Sequence, residues 1–174
     1  MKKTIILGLL IIGFNNCIAQ KVGTIKELGT DVNLKDYDVK IVNPYGDKFV
    51  GKWYWKQGDK RLQIDIKKTN LKGRPFGKIL ESEVFDGSYK YFIAGKAIAL
   101  PDTNLMSNGQ ITSHNEPLVF NSSRKGINTF FYTIYTIEVH FVDPNTIQLK
   151  YRASASQEDK KYIPFPLDIT LKRM

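Results

Sequence analysis

Apolar and polar residues alternate along most of the chain from Phe49 to its end. In Arg61-Leu62-Gln63-Ile64-Asp65-Ile66-Lys67 the aliphatics take the even positions and the polar groups the odd ones. A period of two sends successive side chains to opposite faces, which predicts a strand with one dry and one wet side. Tyr89, Tyr91 and Ile93 align in the same way, and Ala94-Gly95 then turns the chain back through Lys96 to Leu100 as a tight hairpin. The longest alternating run, Phe131 to Val142, places Phe131, Tyr135, Ile137, Val139 and Phe141 on one side. Asp143-Pro144-Asn145-Thr146 supplies a turn, because proline pre-sets the backbone and Asp or Asn closes local hydrogen bonds. The return strand aligns Ile147, Leu149 and Tyr151, and the last, Asp168 to Met174, turns Ile169 and Leu171 inward. Val50 to Lys56, Lys78 to Phe85 and a short piece from Leu118 to Phe120 complete the set.

No segment beyond residue 19 sustains a helical period for three turns. Short strands separated by turn residues predict one all-β antiparallel domain over residues 48–174, a sandwich or a barrel. Residues 20–47 read as a polar leader lying over that body, with Val22, Ile25 and Leu28 spaced for a single helical turn.

The N-terminus has a different pattern. Lys2 and Lys3 precede the apolar run Ile5 to Phe14, and Cys17 and Ala19 stand at the small-residue positions before Gln20. That order predicts a cleaved export signal over residues 1–19, and hence a periplasmic or secreted protein. The apolar run is too short for a stable membrane span. A second cut is open, in which Cys17 becomes the first mature residue and carries lipid, anchoring the protein to the envelope. Cys17 is the chain's one cysteine, so no internal disulfide can form. The core alone must hold the domain together, and a chain of this size buries roughly two-thirds of its unfolded surface.

The net charge of +9 falls by two, to +7, if Lys2 and Lys3 leave with the signal. Basic residues occur as scattered pairs, not a stripe, so nucleic acid is not an expected partner. A solubilising surface accounts for the charge, and weak attraction to anionic envelope components would follow from it.

Phe49-Val50-Gly51-Lys52-Trp53 is a Gly-x-Trp element on the first strand and resembles the opening of lipocalin-like barrels. The resemblance implies an up-and-down β-barrel of about eight strands, with Trp53 closing one end and Arg173 of the last strand stacked across its ring. Gly51, lacking a side chain, would allow the close approach. More of the chain resembles an uncharacterised family of small exported bacterial proteins. The resemblance is carried by Cys17-Ile18-Ala19-Gln20, Asp47 to Trp53, Leu62 to Lys68, Gly87 to Tyr91 and Pro164 to Lys172. It implies export and a lipocalin-like fold, and no known activity; residues 101–128 fit it poorly.

Chemistry is sparse. His140 and Glu138 share a strand face assigned to solvent and supply at most two metal ligands, where zinc needs three or four. No metal and no cofactor is expected. No Gly-x-Ser-x-Gly elbow presents a nucleophile. Glu81, Glu83 and Asp86 form the densest acidic group, and the first two share a face where a carboxylate pair could act on a glycoside, or simply face water balanced by Lys78 and Lys90. The expectation is a monomer without enzymatic activity. Tyr89, Tyr91, Phe131, Tyr135, Phe141 and Tyr151 fall on inward positions and either line a pocket for a small apolar ligand or fill the interior. The alternative is an interaction module for an envelope protein or glycan, docking through an exposed apolar patch around Ile111, Leu118 and Phe120.

Overall fold

The computed structural model describes residues 20–24, 38–98, 106–125, 131–153, 166 and 168–174, of which 121–125, 131–135 and 152–153 are described as backbone. The expected export signal with Cys17 lies outside the described residues, as do the side chains of Phe131 and Tyr135.

The described chain is mostly strand. Its order is β1 (Gln20–Gly23), β2 (Asp38–Ile41), a 3-10 turn (Pro44–Phe49), β3 (Gly51–Gln57), β4 (Lys60–Gly73), a second 3-10 turn (Pro75–Gly77), β5 (Leu80–Ile93), β6 (Lys96–Ala97), β7 (Leu118–Lys125), β8 (Phe131–Asp143), β9 (Thr146–Ala153) and β10 (Ile169–Arg173). These strands form one curled sheet in the order β1-β2-β5-β4-β3-β10-β9-β8-β7, with β6 added to β5. No helix among the described residues is long and apolar enough to cross a membrane.

Alternation translates directly into register. Trp53 pairs with Ile64 and Ile64 with Tyr89, while Leu62 lies between Trp55 and Tyr91. On the other side of β3, Ile169 pairs with Leu149, Leu149 with Val139, and Val139 with Leu118. These rows face one another, and Trp53, Leu62, Ile66, Leu118, Phe120, Val139, Ile147, Leu149 and Leu171 all have 0% exposure. Cross-strand apolar pairs of this kind are the unit of sheet stability. Both foreseen turns are present. Asn145 N donates to Asp143 Oδ1 at 2.8 Å in the β8–β9 turn. Ala94 and Gly95 take φ of 49° and 78° between β5 and β6, as a primed two-residue hairpin requires.

Two expectations need correction. The closed up-and-down barrel is an open, curled half-barrel: β1 and β7 are the two ends of the path, and β1-β2 and β2-β5 are parallel pairs. Within the expected leader, residues 20–23 and 38–41 form β1 at the end of the sheet and β2 beside it, with Val22 in β1; Ile25 and Leu28 lie outside the described residues. Ile111, Leu118 and Phe120 form no exposed patch, being 3%, 0% and 0% exposed.

The last correction has a structural cause at the seam between β5 and β7. Residues 106–111 lie across it, tied to β5 by Phe85 N to Gly109 O at 3.0 Å and to β7 by Val119 N to Gln110 O at 2.9 Å. The free edge of β5 is thus shared by β2, this segment and β6 in succession. Gly109 makes the crossing feasible, since a Cβ there would sit 2.4 Å from a Phe120 ring carbon. Met106 and Ile111 seal the gap, leaving their own backbone to be satisfied by both neighbours.

Candidate functional site

One end of the half-barrel is built around the Gly-x-Trp element. The 3-10 turn ends in buried Phe49, whose carbonyl accepts the Trp53 indole N–H at 2.8 Å, satisfying the polar edge of a fully buried ring. Arg173 pairs with Trp53 across β10 and β3, and its guanidinium lies 4.2 Å from the ring centroid. The same guanidinium donates to Pro144 O at 2.7 Å, Val50 O at 2.9 Å and Lys48 O at 3.1 Å. It therefore stitches the β8–β9 turn to the end of the 3-10 turn. Gly51 is required twice: its φ is 137°, and a Cβ would lie 2.6 Å from Arg173 Nη1. Because Arg173 is exposed, its stacking contributes about 0.5–1 kcal/mol.

Beside this closure lies a recess of about 210 Å³ walled by Lys48, His114, Glu116, His140 and Phe141. Lys48 Nζ sits 5.2 Å from the ring centroids of both Phe49 and Phe141 and donates to the His114 carbonyl. The two rings meet edge to face, 6.0 Å apart. Burial holds the Lys48 ammonium below its usual pKa range. Glu116 accepts the Thr112 hydroxyl, and His140 Nε2 lies 3.0 Å from Glu138 Oε2. Glu138, expected in solvent, is only 7% exposed. Among the described residues no group of three His, Cys, Asp or Glu is placed to hold a metal ion. The recess thus brings together an ammonium, two imidazoles, the Glu116 carboxylate and an aromatic wall.

The acidic residues of β5 are dispersed among separate partners. Glu81 pairs with Lys72 at 3.2 Å and Glu83 with Lys68 at 3.1 Å, in place of the Lys78 and Lys90 expected from sequence. Asp86 accepts from Thr69 Oγ1 and the Asn108 N–H. The backbone N–H of Asn43, 2.7 Å from Glu83 Oε2, holds that carboxyl below its usual range, helped by Lys68. Burial works to lower Lys68, but Asp47 at 2.5 Å and Glu83 outweigh it, and its pKa is raised. Asn43 Nδ2 donates to Ile111 O at 3.0 Å, tying the seam segment to the same network. Asn43 Oδ1 is buried without a donor among the described residues, beside a recess of about 40 Å³.

Of the six aromatics expected inside, Tyr91 is 4% exposed against Leu62, and Tyr89, Phe141 and Tyr151 are partly buried against the core. Burial pushes the Tyr91 phenol up. Phe141 reaches the Lys48 recess, and Tyr89 borders a separate open recess with Lys52 and Met174. The structure joins Gly51, Trp53 and Arg173 at one point and does not gather these four rings around one chamber. Lys48 and Asn43 were not legible as site residues. The Lys48–His114 contact spans 66 residues, and no local pattern encodes such a separation.

The fold and its end closure define a curled β half-barrel whose interior is packed with side chains. The chain belongs to a family of unknown function, DUF6705, whose model matches residues 1–164. No curated protein and no solved structure matches it.

Proposed function

We propose that this protein is an exported, non-enzymatic, lipocalin-like half-barrel that works as a monomer and binds a small anionic molecule at the recess beside Trp53 and Arg173. One observation carries the reading: Lys48, His114, His140 and Phe141, distant in sequence, wall a single recess of about 210 Å³. The interior is the poorer place for a ligand, because Trp53, Leu62, Ile66, Phe85 and Leu149 are packed together with no exposure. Absence of catalysis is supported by the carboxylates. Glu83 is held ionised and Glu81 is paired with Lys72, whereas glycoside hydrolysis needs an acid with a raised pKa. Export rests on the charge, apolar run and small residues of positions 1–19, with lipid attachment at Cys17 as the other outcome; intact mass of the isolated protein separates the two.

Inorganic phosphate is the probe for the recess. The imidazole resonances of His114 and His140 should both move and saturate together as phosphate is added. Lys48→Gln should weaken that response at least several-fold, since it removes one charge-assisted donor. Resonances that stay fixed, or that drift linearly without saturation, contradict the reading.

A further inference from the structure

The β4–β5 hairpin runs on past the end of β3, and near its turn only β2 lies alongside, paired with β5 from Leu80 to Ser82. Its two strands pair over fourteen rungs, Lys60↔Ile93 to Gly73↔Leu80, while β3 accompanies β4 only from Lys60 to Ile66. At the far tip three large apolar side chains face water: Leu71 is 54% exposed, Phe76 72% and Ile79 38%. Lys72, Arg74 and Lys78 stand among them. Lys72 is balanced by Glu81 at 3.2 Å, and the Asp38 carboxylate accepts the Ile79 N–H at 2.7 Å. No carboxylate among the described residues pairs with Arg74 or Lys78.

Phe76 adds a second observation. Its φ is 53°, a left-handed conformation that a bulky residue adopts at a cost of about 1–2 kcal/mol. Asn or Gly would suit that backbone better, yet an aromatic ring stands there, 72% exposed.

We propose that this tip docks onto an anionic lipid bilayer, with Phe76, Leu71 and Ile79 entering the interfacial layer and Arg74 and Lys78 meeting the headgroups. Arg74 and Lys78 alternate with Leu71, Phe76 and Ile79 around the hairpin turn, a mixture of positive charge and exposed apolar groups that complements a surface bearing negative charge over an apolar layer. Aromatic rings favour the bilayer interface, and each Lys or Arg near an anionic surface adds about 1 kcal/mol of attraction.

Vesicles of phosphatidylcholine, alone and mixed with phosphatidylglycerol, test the proposal by co-sedimentation. Every protein in the test carries the same N-terminus, so any contribution of residues 1–19 is common to all arms. The protein should bind the mixed vesicles, with binding falling as salt rises, and should leave neutral vesicles largely unbound. Arg74→Gln with Lys78→Gln should weaken binding about tenfold or more, at roughly fivefold per charge. Lys56→Gln with Lys60→Gln, the same charge change at the other end of the hairpin, should change it less than twofold. Phe76→Asn removes the ring and suits the left-handed backbone, so its melting temperature should hold while binding drops several-fold. Phe76→Trp should shift its emission to the blue on mixed vesicles only. Equal effects from the two charge pairs, or a Phe76→Asn variant that binds as well as the parent, would overturn the proposal. Lipid-independent capture of an envelope protein through Phe76 would also overturn it, in favour of a protein contact.

Discussion

From Lys60 to Ile66 the β4 strand alternates as a core strand does, and Leu62, Ile64 and Ile66 are 0–1% exposed. From Lys67 to Gly73 the same strand keeps the same partner and an unbroken register, yet Leu71 is 54% exposed. What changes is the company. In the first half β3 lies alongside and Trp53 and Trp55 pair with Ile64 and Leu62; in the second β3 has ended. Backbone pairing therefore sets where the hairpin goes, and lateral packing decides which side chains stabilise it. The distal half of β4 makes polar contacts instead, Lys68 with Asp47 and Glu83, Lys72 with Glu81, and Thr69 with Asp86, while β5 beside it buries Val84 and Phe85 and pairs with β2.

The largest test of this contrast is a matched pair of truncations. Leu62→Ala should cost about 2–5 kcal/mol of unfolding free energy, the range for a sealed leucine. Leu71→Ala should cost about 0.5 kcal/mol or less, as exposed positions do. Denaturant midpoints measure both, and similar losses would break the comparison. Next comes the end closure. Gly51→Ala meets both a forbidden backbone and the Arg173 guanidinium, so a loss of about 2–3 kcal/mol is expected. In an Arg173→Ala background the close approach is gone and the added cost of Gly51→Ala should shrink, which a double-mutant cycle would read.

The distal polar contacts should register less and depend on pH. The folded-state pKa of Glu83 lies below its ordinary value of 4.5, so its contribution is present above that pH and is lost as pH falls through the folded value. Glu83→Gln should therefore lower stability by about 1 kcal/mol near neutrality, with the difference from the parent closing in acid. Lys68 behaves oppositely: its raised pKa means stability present below its ordinary value of 10.5 and lost as pH climbs through the folded value. A Glu83→Gln deficit that persists unchanged in acid would show that packing, not charge, is at work. The smallest effect belongs to Phe76→Asn, whose thermal midpoint should match the parent because little is buried there and the new residue tolerates positive φ.

Much of the sheet was readable because period-two alternation is a local property. Leu62-Ile64-Ile66, the β8–β9 hairpin and its Asx turn at Asp143 all lie within short windows. Arg173 over Trp53 was legible because strand parity and a known opening element point at the same pair. The parallel β1 and β2 were hidden, since four-residue strands without alternation carry too little pattern. The seam was hidden for another reason. Ile111, Leu118 and Phe120 look like a loose patch in sequence, and only the crossing of residues 106–111 between β5 and β7 buries them. The Lys48 recess depends on three separate elements, so composition alone could not assemble it. Glu138 shows the limit of parity itself, because a residue on a nominally wet face is nearly sealed.

Native-state hydrogen exchange resolved along the β4–β5 hairpin puts the central contrast to the most direct test. Amides of Leu62, Ile64, Tyr89 and Tyr91 should exchange only through global unfolding, while those from Thr69 to Gly73 and Leu80 to Glu83 should open locally at lower free energy. One uniform protection level along all fourteen rungs would contradict the division of this hairpin into a root flanked by β3 and a tip flanked by β2 alone.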